Sequence, residues 1–194
     1  RYFGWIPRYP EPPRVEIREP MPDAPHEVTL KQDNAPIPLV AIVYRTVPLS
    51  SEDSVPLDLL STILGGGNSS RVYRELVAKK QLAVGIQSMD ISLEQDGILG
   101  VGAALTAAGA KDNAALIALR KQVDALRTRK VKPRELEKAK NQTLKNLVTE
   151  NLQVARKASV LGRAAVLEGD VARVNARLDA VRRTTADDLL RVAK

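Results

Sequence analysis

The first residues that could do chemistry lie in a glycine- and serine-rich stretch, ILGGGNSSRVYREL, at residues 63–76. Consecutive glycines before a helix can bind a phosphate, because their backbone N–H groups approach an anion closely and the helix dipole favours negative charge. A phosphate-binding loop places Lys-Ser or Lys-Thr after its last glycine, whereas Gly67 is followed by Asn68, and the next lysine is Lys79. The sequence therefore favours a structural turn, in which one helix ends at Leu64, glycine adopts positive φ, and a serine caps the next helix.

The other groups that could do chemistry are isolated from one another. His26 is the single histidine, and the chain contains no cysteine. One histidine cannot make a His-x-x-x-His zinc pair, and the serines of the glycine-rich stretch have no histidine partner near them in sequence. The paired carboxylates Glu135/Glu137 and Asp187/Asp188 are two or one residues apart, so neither pair shares a helix face. Taken alone, the residues indicate no catalytic residue and no metal site in this chain.

Length and composition are those of an ordinary globular domain. The chain has 194 residues, of which 44% are hydrophobic and 27% charged, and aromatic residues make up only 3%. This length suits one large domain or a domain with a tail, and the core should be aliphatic. No segment approaches the roughly 18 apolar residues of a membrane helix, so no membrane partner is expected. The chain begins with Arg1 instead of methionine, and we expect it to be a piece of a longer protein.

The net charge of +7 is unevenly spread. Residues 1–106 carry 10 Lys/Arg and 13 Asp/Glu, whereas residues 107–194 carry 20 and 10. A basic surface can attract nucleic acid. In the second part of the chain, however, acids and bases alternate at helical spacing, as in RKQVDALRTRK. The pattern favours solvated helix faces, and no nucleic-acid partner is expected.

Hydrophobic periodicity and turn residues predict the order of elements along the chain. The first 25 residues hold more than half of the twelve prolines and indicate an extended linker. The predicted strands are 27–31, 37–47, Ala83–Ser92 and Ile98–Thr106, and the predicted helical segments are 54–64, 69–80, 112–130, 133–169, 171–183 and 186–194. We therefore expect a linker over 1–25 and an α+β domain over 26–194, a mostly antiparallel sheet with helices packed on one face.

The order of elements and several local phrases resemble a known family. The string PLDLLSTILGGGNSSRVYRELVAKKQLAVGIQS, residues 56–88, resembles the second-half domain of the pitrilysin/insulinase class of zinc metallopeptidases, which includes the mitochondrial processing peptidases. YFGWIP at 2–7, KVKPRELEKAKNQ at 130–142 and TTADDLLRVAK at 184–194 agree with the layout of that family. The resemblance covers nearly the whole chain, and it implies that the glycine loop connects two helices.

The resemblance also implies where the chemistry of the whole enzyme lies. Family members bind zinc through a His-x-x-Glu-His helix and a glutamate in the first-half domain, so zinc is expected outside this chain. Their second half contributes an arginine and a tyrosine in a phrase such as L-R-x-K-x-x-L-A-Y. The matching phrase spans residues 76–84, where Val77 takes the arginine position and Val84 the tyrosine position. Valine has neither donor group that could polarise a substrate carbonyl.

This departure leaves two interpretations. In some family members two unlike subunits divide the work, so this chain would belong to the zinc-bearing subunit, and a partner subunit would carry the Arg/Tyr pair. Alternatively, the chain belongs to a non-catalytic structural subunit, as in the core subunits of respiratory complexes.

For the first interpretation, we expect the chain to be inactive alone and to form one wall of a peptide-enclosing chamber and a subunit-pairing surface. The whole enzyme would hydrolyse peptide bonds with zinc-activated water and a glutamate base. The secreted bacterial forms of the family suggest a periplasmic location.

Overall fold

The computed structural model describes residues 2–7, 9–10, 20 and 22–194. The chain divides into two units, Arg1–Gln32 and Asp33–Lys194. Much of the predicted linker over 1–25, namely residues 1, 8, 11–19 and 21, lies outside the described residues. The strand predicted at 27–31 is wrong, because these residues form no strand and their side chains are exposed. The apolar and polar residues do alternate here, but no strand in the described part of the chain pairs with this segment.

The second unit contains a three-stranded sheet with the order β1-β3-β2, in which both pairings are antiparallel. Strand β1 is Leu39–Thr46, β2 is Ala83–Ser92 and β3 is Gly97–Leu105. The hairpin prediction is confirmed, with the β2 bounds as expected and β3 shifted by one residue. In its turn, the Leu93 N–H donates to the Asp96 carbonyl at 2.8 Å.

Helices make up most of the remaining chain, and the predicted α+β class is confirmed. The α-helices are α1 Ser54–Gly65, α2 Ala107–Ala110, α3 Ala114–Thr128, α4 Pro133–Glu150, α5 Val154–Arg163, α6 Arg173–Arg183 and α7 Ala186–Ala193. Two segments are π-helical, Tyr73–Lys79 and Ala164–Glu168, and Lys111–Asn113 is a 3₁₀ turn. In the described part of the chain, every helix is too short or too polar to cross a membrane.

The single helical run predicted from Pro133 to Gly169 is broken in the structure. Helix α4 ends at Glu150, where the Asn151 side chain donates to the Leu147 carbonyl at 2.8 Å. The Asn151 backbone N–H also bonds the Val148 carbonyl at 3.2 Å. A side chain that satisfies the last carbonyls ends a helix even within a periodic sequence.

Glycine and side-chain hydrogen bonds mark the helix boundaries further along. Gly169 has a φ of 71°, as a left-handed C-cap requires. The Asp170 carboxylate accepts a bond from the Ala172 N–H at 2.8 Å, just before α6. Thr185 and Asp188 form a reciprocal capping box at the start of α7.

The core lies between the sheet and the helices and is aliphatic, as the composition predicted. Its largest fully buried side chains are all leucine or valine: Leu59, Leu64, Leu76, Leu119, Leu189, Val72 and Val181. Strand β3 contributes Val101, Ala103 and Leu105 from alternate positions. Alternation along β3 therefore assigns one face of the sheet to the core and leaves the other face available for a different role.

Candidate functional site

The glycine loop connects two helices, and each of its three positions requires glycine for a different structural reason. A Cβ on Gly65 would lie 2.5 Å from Ser88 Oγ and 2.9 Å from the Ser88 nitrogen, so α1 packs directly on β2 here. A Cβ on Gly66 would lie 2.5 Å from the Thr62 carbonyl oxygen, which the Gly66 N–H caps. Gly67 has a φ of 91°, which is strained for any residue with a side chain.

The predicted serine cap after this loop is wrong in one detail. The Ser70 carbonyl accepts a bond from the Arg74 N–H at 3.1 Å, so Ser70 occupies the cap position of the next helix. Its hydroxyl is buried, however, and makes no hydrogen bond to any described residue. The backbone turn and the packing around it, and not a hydroxyl cap, begin this helix.

Arg71 ties the glycine loop to the first turn of α4. Its Nε and Nη2 donate to the two carboxylate oxygens of Glu135 at 2.7 and 2.6 Å, in a bidentate pair that is largely buried. Burial alone would raise the pKa of the Glu135 carboxyl, but the Arg71 hydrogen bonds and charge hold this pKa below its usual value. The pair fixes the segment that leads into Tyr73–Lys79, where the family's arginine position lies.

We expect Arg71→Ala to lower the free energy of unfolding by about 1.5–3 kcal/mol, because it leaves a partly buried carboxylate without its charged donors. Urea denaturation at neutral pH measures this loss. The matched control is Lys79→Ala, whose exposed ion pair with Glu75 spans 3.8 Å and should be worth less than about 0.5 kcal/mol. Equal losses in the two variants would contradict the assigned role of Arg71.

The structure places Val77 and Val84, the two positions that the resemblance assigns to substrate contact, in different surroundings. Val77 lies in the π-helical segment Tyr73–Lys79, half-buried against the core. Val84 is 62% exposed near the start of β2. The pairing of β2 with β3 shifts by one residue here, since Ala83 opposes Leu105 and Gly85 opposes Ala104.

Val84 is therefore the extra residue of a β-bulge. Bulges redirect a side chain and are common next to active sites. Here the bulge moves Val84 from the core-facing series to the exposed face of the sheet.

That exposed face, which we call the open sheet face, is mostly apolar and also carries Arg45 and Gln87. Leu39 and Val43 on β1 are 76% and 61% exposed, and further apolar side chains are exposed on β2 and β3: Met89, Ile91 and Ile98. Gly100 of the central strand pairs with Val43 on one side and Met89 on the other. The Met89 side chain lies over this glycine, since a Cβ at position 100 would be only 3.3 Å from Met89 Cγ. Contiguous exposed apolar surface of this kind marks an interaction site.

A second feature is a polar cavity of about 380 Å³ between α1, β2, α4 and the helices that follow. Asp58 and Asp90 both line it, together with Arg163 and Arg177. Burial raises the pKa of Asp90 to about 6, and the neighbouring Asp58 charge adds to this, while Arg177 opposes it. Burial likewise raises the pKa of Asp58. One Asp90 oxygen, Oδ1, is buried and makes no hydrogen bond to any described residue.

Asp90→Asn should change how stability depends on pH. The pKa of folded Asp90 lies above its ordinary 3.8, so the folded state binds the proton more tightly and is favoured below about pH 4. This contribution is lost as the pH rises through about 6. Because Asp90 is partly solvated, we expect the free energy of unfolding of the wild type to fall by only on the order of 1 kcal/mol relative to that of the variant. Urea unfolding at several pH values from 4 to 7 tests this, and an identical pH dependence in both proteins would contradict it.

The polar groups do not assemble into a metal centre. No three His, Asp or Glu side chains within the described residues are placed to hold a metal ion, so the donor set does not fit zinc. The single histidine, His26, is exposed. Sequence reasoning missed the Asp58/Asp90 cavity and the Arg71–Glu135 pair, because partners 32 and 64 residues apart in sequence carry no local signal.

Helices on one face of an antiparallel sheet and a mostly apolar, exposed second face define an α+β domain. The chain belongs to the Peptidase M16 inactive domain family, whose model matches residues 1–143.

Individual relatives agree with this assignment. The chain is 30% identical over 149 residues to Zinc protease PqqE of Helicobacter pylori, which aligns with 77% of this chain and 30% of that protein. It superposes on the inactive peptidase domain assigned to a zinc protease from Bordetella parapertussis with a TM-score of 0.73 and 31% identity, over 86% of this chain and 87% of the other. A chain of Complex III2 from Candida albicans shares the fold alone, at 15% identity and a TM-score of 0.73 over 84% and 40% of the two chains. The chain thus spans about a third of the length of its curated relative.

Proposed function

We propose that this chain is the second-half domain of a zinc-peptidase subunit, in which it forms one wall of a peptide-enclosing chamber. The observation that carries the proposal is the bulge at Val84. Val84, the residue that the resemblance assigns to substrate contact, is exposed at this bulge on the same sheet as the open sheet face. In this proposal zinc is held by the part of the protein outside this chain, and the domain contributes shape and contacts to the bound peptide.

The open sheet face suits an extended peptide. The side chains of Val43 and Met89 lie next to Gly100 and offer apolar contacts that suit many different peptide side chains. Such a surface holds a peptide with little sequence preference. We therefore assign peptides as the substrate class and expect selection among them to arise elsewhere in the enzyme.

Photo-crosslinking tests directly whether this domain forms a wall of the peptide chamber. A benzophenone amino acid at Val84 of the full-length protein should crosslink a labelled peptide, and excess unlabelled peptide should compete. The control places the same group at Ile117, which is 64% exposed on α3 in the helical layer. Equal crosslinking at the two positions, or none at Val84, would contradict the proposal.

A partner subunit completes the proposed enzyme. Val77 and Val84 cannot donate hydrogen bonds from their side chains, so the groups that polarise the substrate carbonyl come from a partner with arginine and tyrosine at these positions. The periplasm is the proposed location, which rests on the resemblance to secreted bacterial family members.

The alternative is a non-catalytic structural subunit of the same fold. The observation that favours it is that both donor positions are valine, which is also expected where no reaction occurs. Peptide hydrolysis by a mixture of subunits separates the alternatives, because a structural subunit gives no activity in any combination.

A further inference from the structure

The polar cavity between α1, β2 and α4 holds charged groups that lack close partners among the described residues. Asp58 and Arg177, both half-buried, make no ion pair or hydrogen bond with any described residue. The Asp90 carboxyl has a hydrogen bond from Ser92, but its buried Oδ1 has none. Arg177 attracts both carboxyls, yet burial still raises the pKa of each. Because buried charges in proteins are normally paired or bound to an ion, these groups indicate a missing partner.

The balance of charge around the cavity gives the sign of that partner. Of the charged side chains that line it, four are acidic and two are basic: Asp58, Asp90, Glu150, Glu168, Arg163 and Arg177. Arg163 already donates to the Ser92 carbonyl. An anion would lie against the carboxylates and be repelled, whereas a cation would offset the acidic excess. A cation with several N–H donors would also supply the hydrogen bonds that the two aspartates lack.

The size and lining of the cavity favour an organic cation over a metal ion. Its volume is about 380 Å³, within the range of roughly 300–1,000 Å³ for small-molecule sites. Apolar side chains in the lining, among them Leu147, Val160 and Leu178, suit the alkyl part of such a ligand. A metal ion is disfavoured, because within the described residues no three His, Asp or Glu side chains are placed to hold one.

The cavity lies on the opposite side of the sheet from the open sheet face. Asp90 pairs with Leu99 of β3 and stands between Met89 and Ile91, which are exposed. Since side chains alternate along a strand, Asp90 lies on the helix side. The segment Val154–Glu168 contributes one wall, and none of the α5 residues in it is buried. A loosely packed wall opens more readily than the core, so a ligand has a route into the cavity that does not cross the open sheet face.

We propose that this cavity binds a small organic cation, a guanidinium or primary ammonium group on a short alkyl chain, through the carboxylates of Asp58 and Asp90. A free amine and the side chain of an arginine or lysine in a peptide both offer this chemistry. The site is separate from the proposed peptide wall and adds a second binding function to the domain.

Isothermal titration calorimetry of the full-length protein at neutral pH tests the proposal with butylguanidine, butylamine and the neutral isostere butylurea. Both cations should bind, and butylurea should bind much more weakly. Asp58→Asn and Asp90→Asn should each weaken binding of the cations at least about tenfold, because each removes a charge-assisted hydrogen bond. Asparagine is close to aspartate in size and removes a charge that lacks a close partner, so both variants should fold, and circular dichroism verifies this.

Asp179→Asn is the matched control, because it removes an exposed carboxylate of α6 that lies outside the cavity lining. It should leave the affinity for both cations unchanged. N-acetylarginine methylamide distinguishes the two sources of the ligand. Binding as strong as that of butylguanidine assigns a peptide side chain, and much weaker binding assigns a free amine, and both results support the site.

Several results would overturn the proposal. They are equal loss of affinity in the control and the two cavity variants, equal binding of butylurea and the cations, and no binding of either cation, as expected for a cavity filled only by water. Binding of calcium that Asp58→Asn abolishes, without binding of the organic cations, would overturn it in favour of a metal ion. None of these measurements depends on peptide hydrolysis or on the open sheet face, so a failure here is distinct from a failure of the proposed peptidase function.

Discussion

The full-length protein alone should hydrolyse peptides about a hundred- to thousandfold more slowly than a mixture with a partner subunit that carries arginine and tyrosine at the Val77 and Val84 positions. Loss of a single transition-state hydrogen-bond donor typically costs about 2.7–4 kcal/mol, which corresponds to this factor. The valines offer no such donor, so in the proposed enzyme the partner supplies it. Initial rates with a fluorogenic peptide, measured against increasing partner concentration, give the comparison.

Matched substitutions show which subunit is responsible for the higher rate of the mixture. Replacing the partner's arginine and tyrosine should return the mixture to the low rate, whereas Val84→Ala in this chain should change the rate little, because it removes only exposed apolar contact. A high rate from the lone full-length protein, unchanged on dilution, would contradict the division of labour between subunits.

Leu76→Ala should lower the free energy of unfolding by about 2–5 kcal/mol, the range for a fully buried leucine whose removal leaves a cavity. Leu76 is fully buried and belongs to the π-helical segment Tyr73–Lys79. Its neighbour Val77 is half-buried, so we expect a smaller loss, about 1 kcal/mol, from Val77→Ala. Urea denaturation of each variant, with unchanged m-value, measures the difference.

Val84→Ala serves as the surface control for this series. Its side chain is 62% exposed, and a substitution there should stay within about 0.5 kcal/mol of wild type. If Leu76→Ala lowers the free energy of unfolding no more than Val84→Ala does, the segment Tyr73–Lys79 is not anchored through Leu76 as described.

The sequence was sufficient for elements whose signals are local. The β2–β3 hairpin followed from two apolar runs around LEQDG, and α1 followed from apolar spacing ended by glycine. The three glycines were correctly assigned to a turn. The reason for each glycine is visible only in the structure: Gly65 packs against Ser88, Gly66 packs against the Thr62 carbonyl, and Gly67 has a positive φ. The first two reasons depend on atoms outside the loop.

Features that depend on distant partners were beyond sequence reasoning. Residues 27–31 alternate like a strand, but none of the described strands pairs with them, since pairing depends on the rest of the sheet. The break between α4 and α5 comes from a side-chain bond of Asn151, a residue type that also occurs inside helices. The bulge at Val84 results from the register of β2 against β3, and no local pattern shows on which face of the sheet that side chain lies.

Zinc content, measured after exhaustive dialysis, is the most direct test of the claim that this chain is the non-metal-binding domain of a zinc-peptidase subunit. We expect about one tightly held zinc ion in each full-length protein and none in this 194-residue chain, because one histidine and no cysteine cannot compose a typical three-ligand catalytic site. One zinc ion retained per chain, and lost on His26→Ala, would contradict the account.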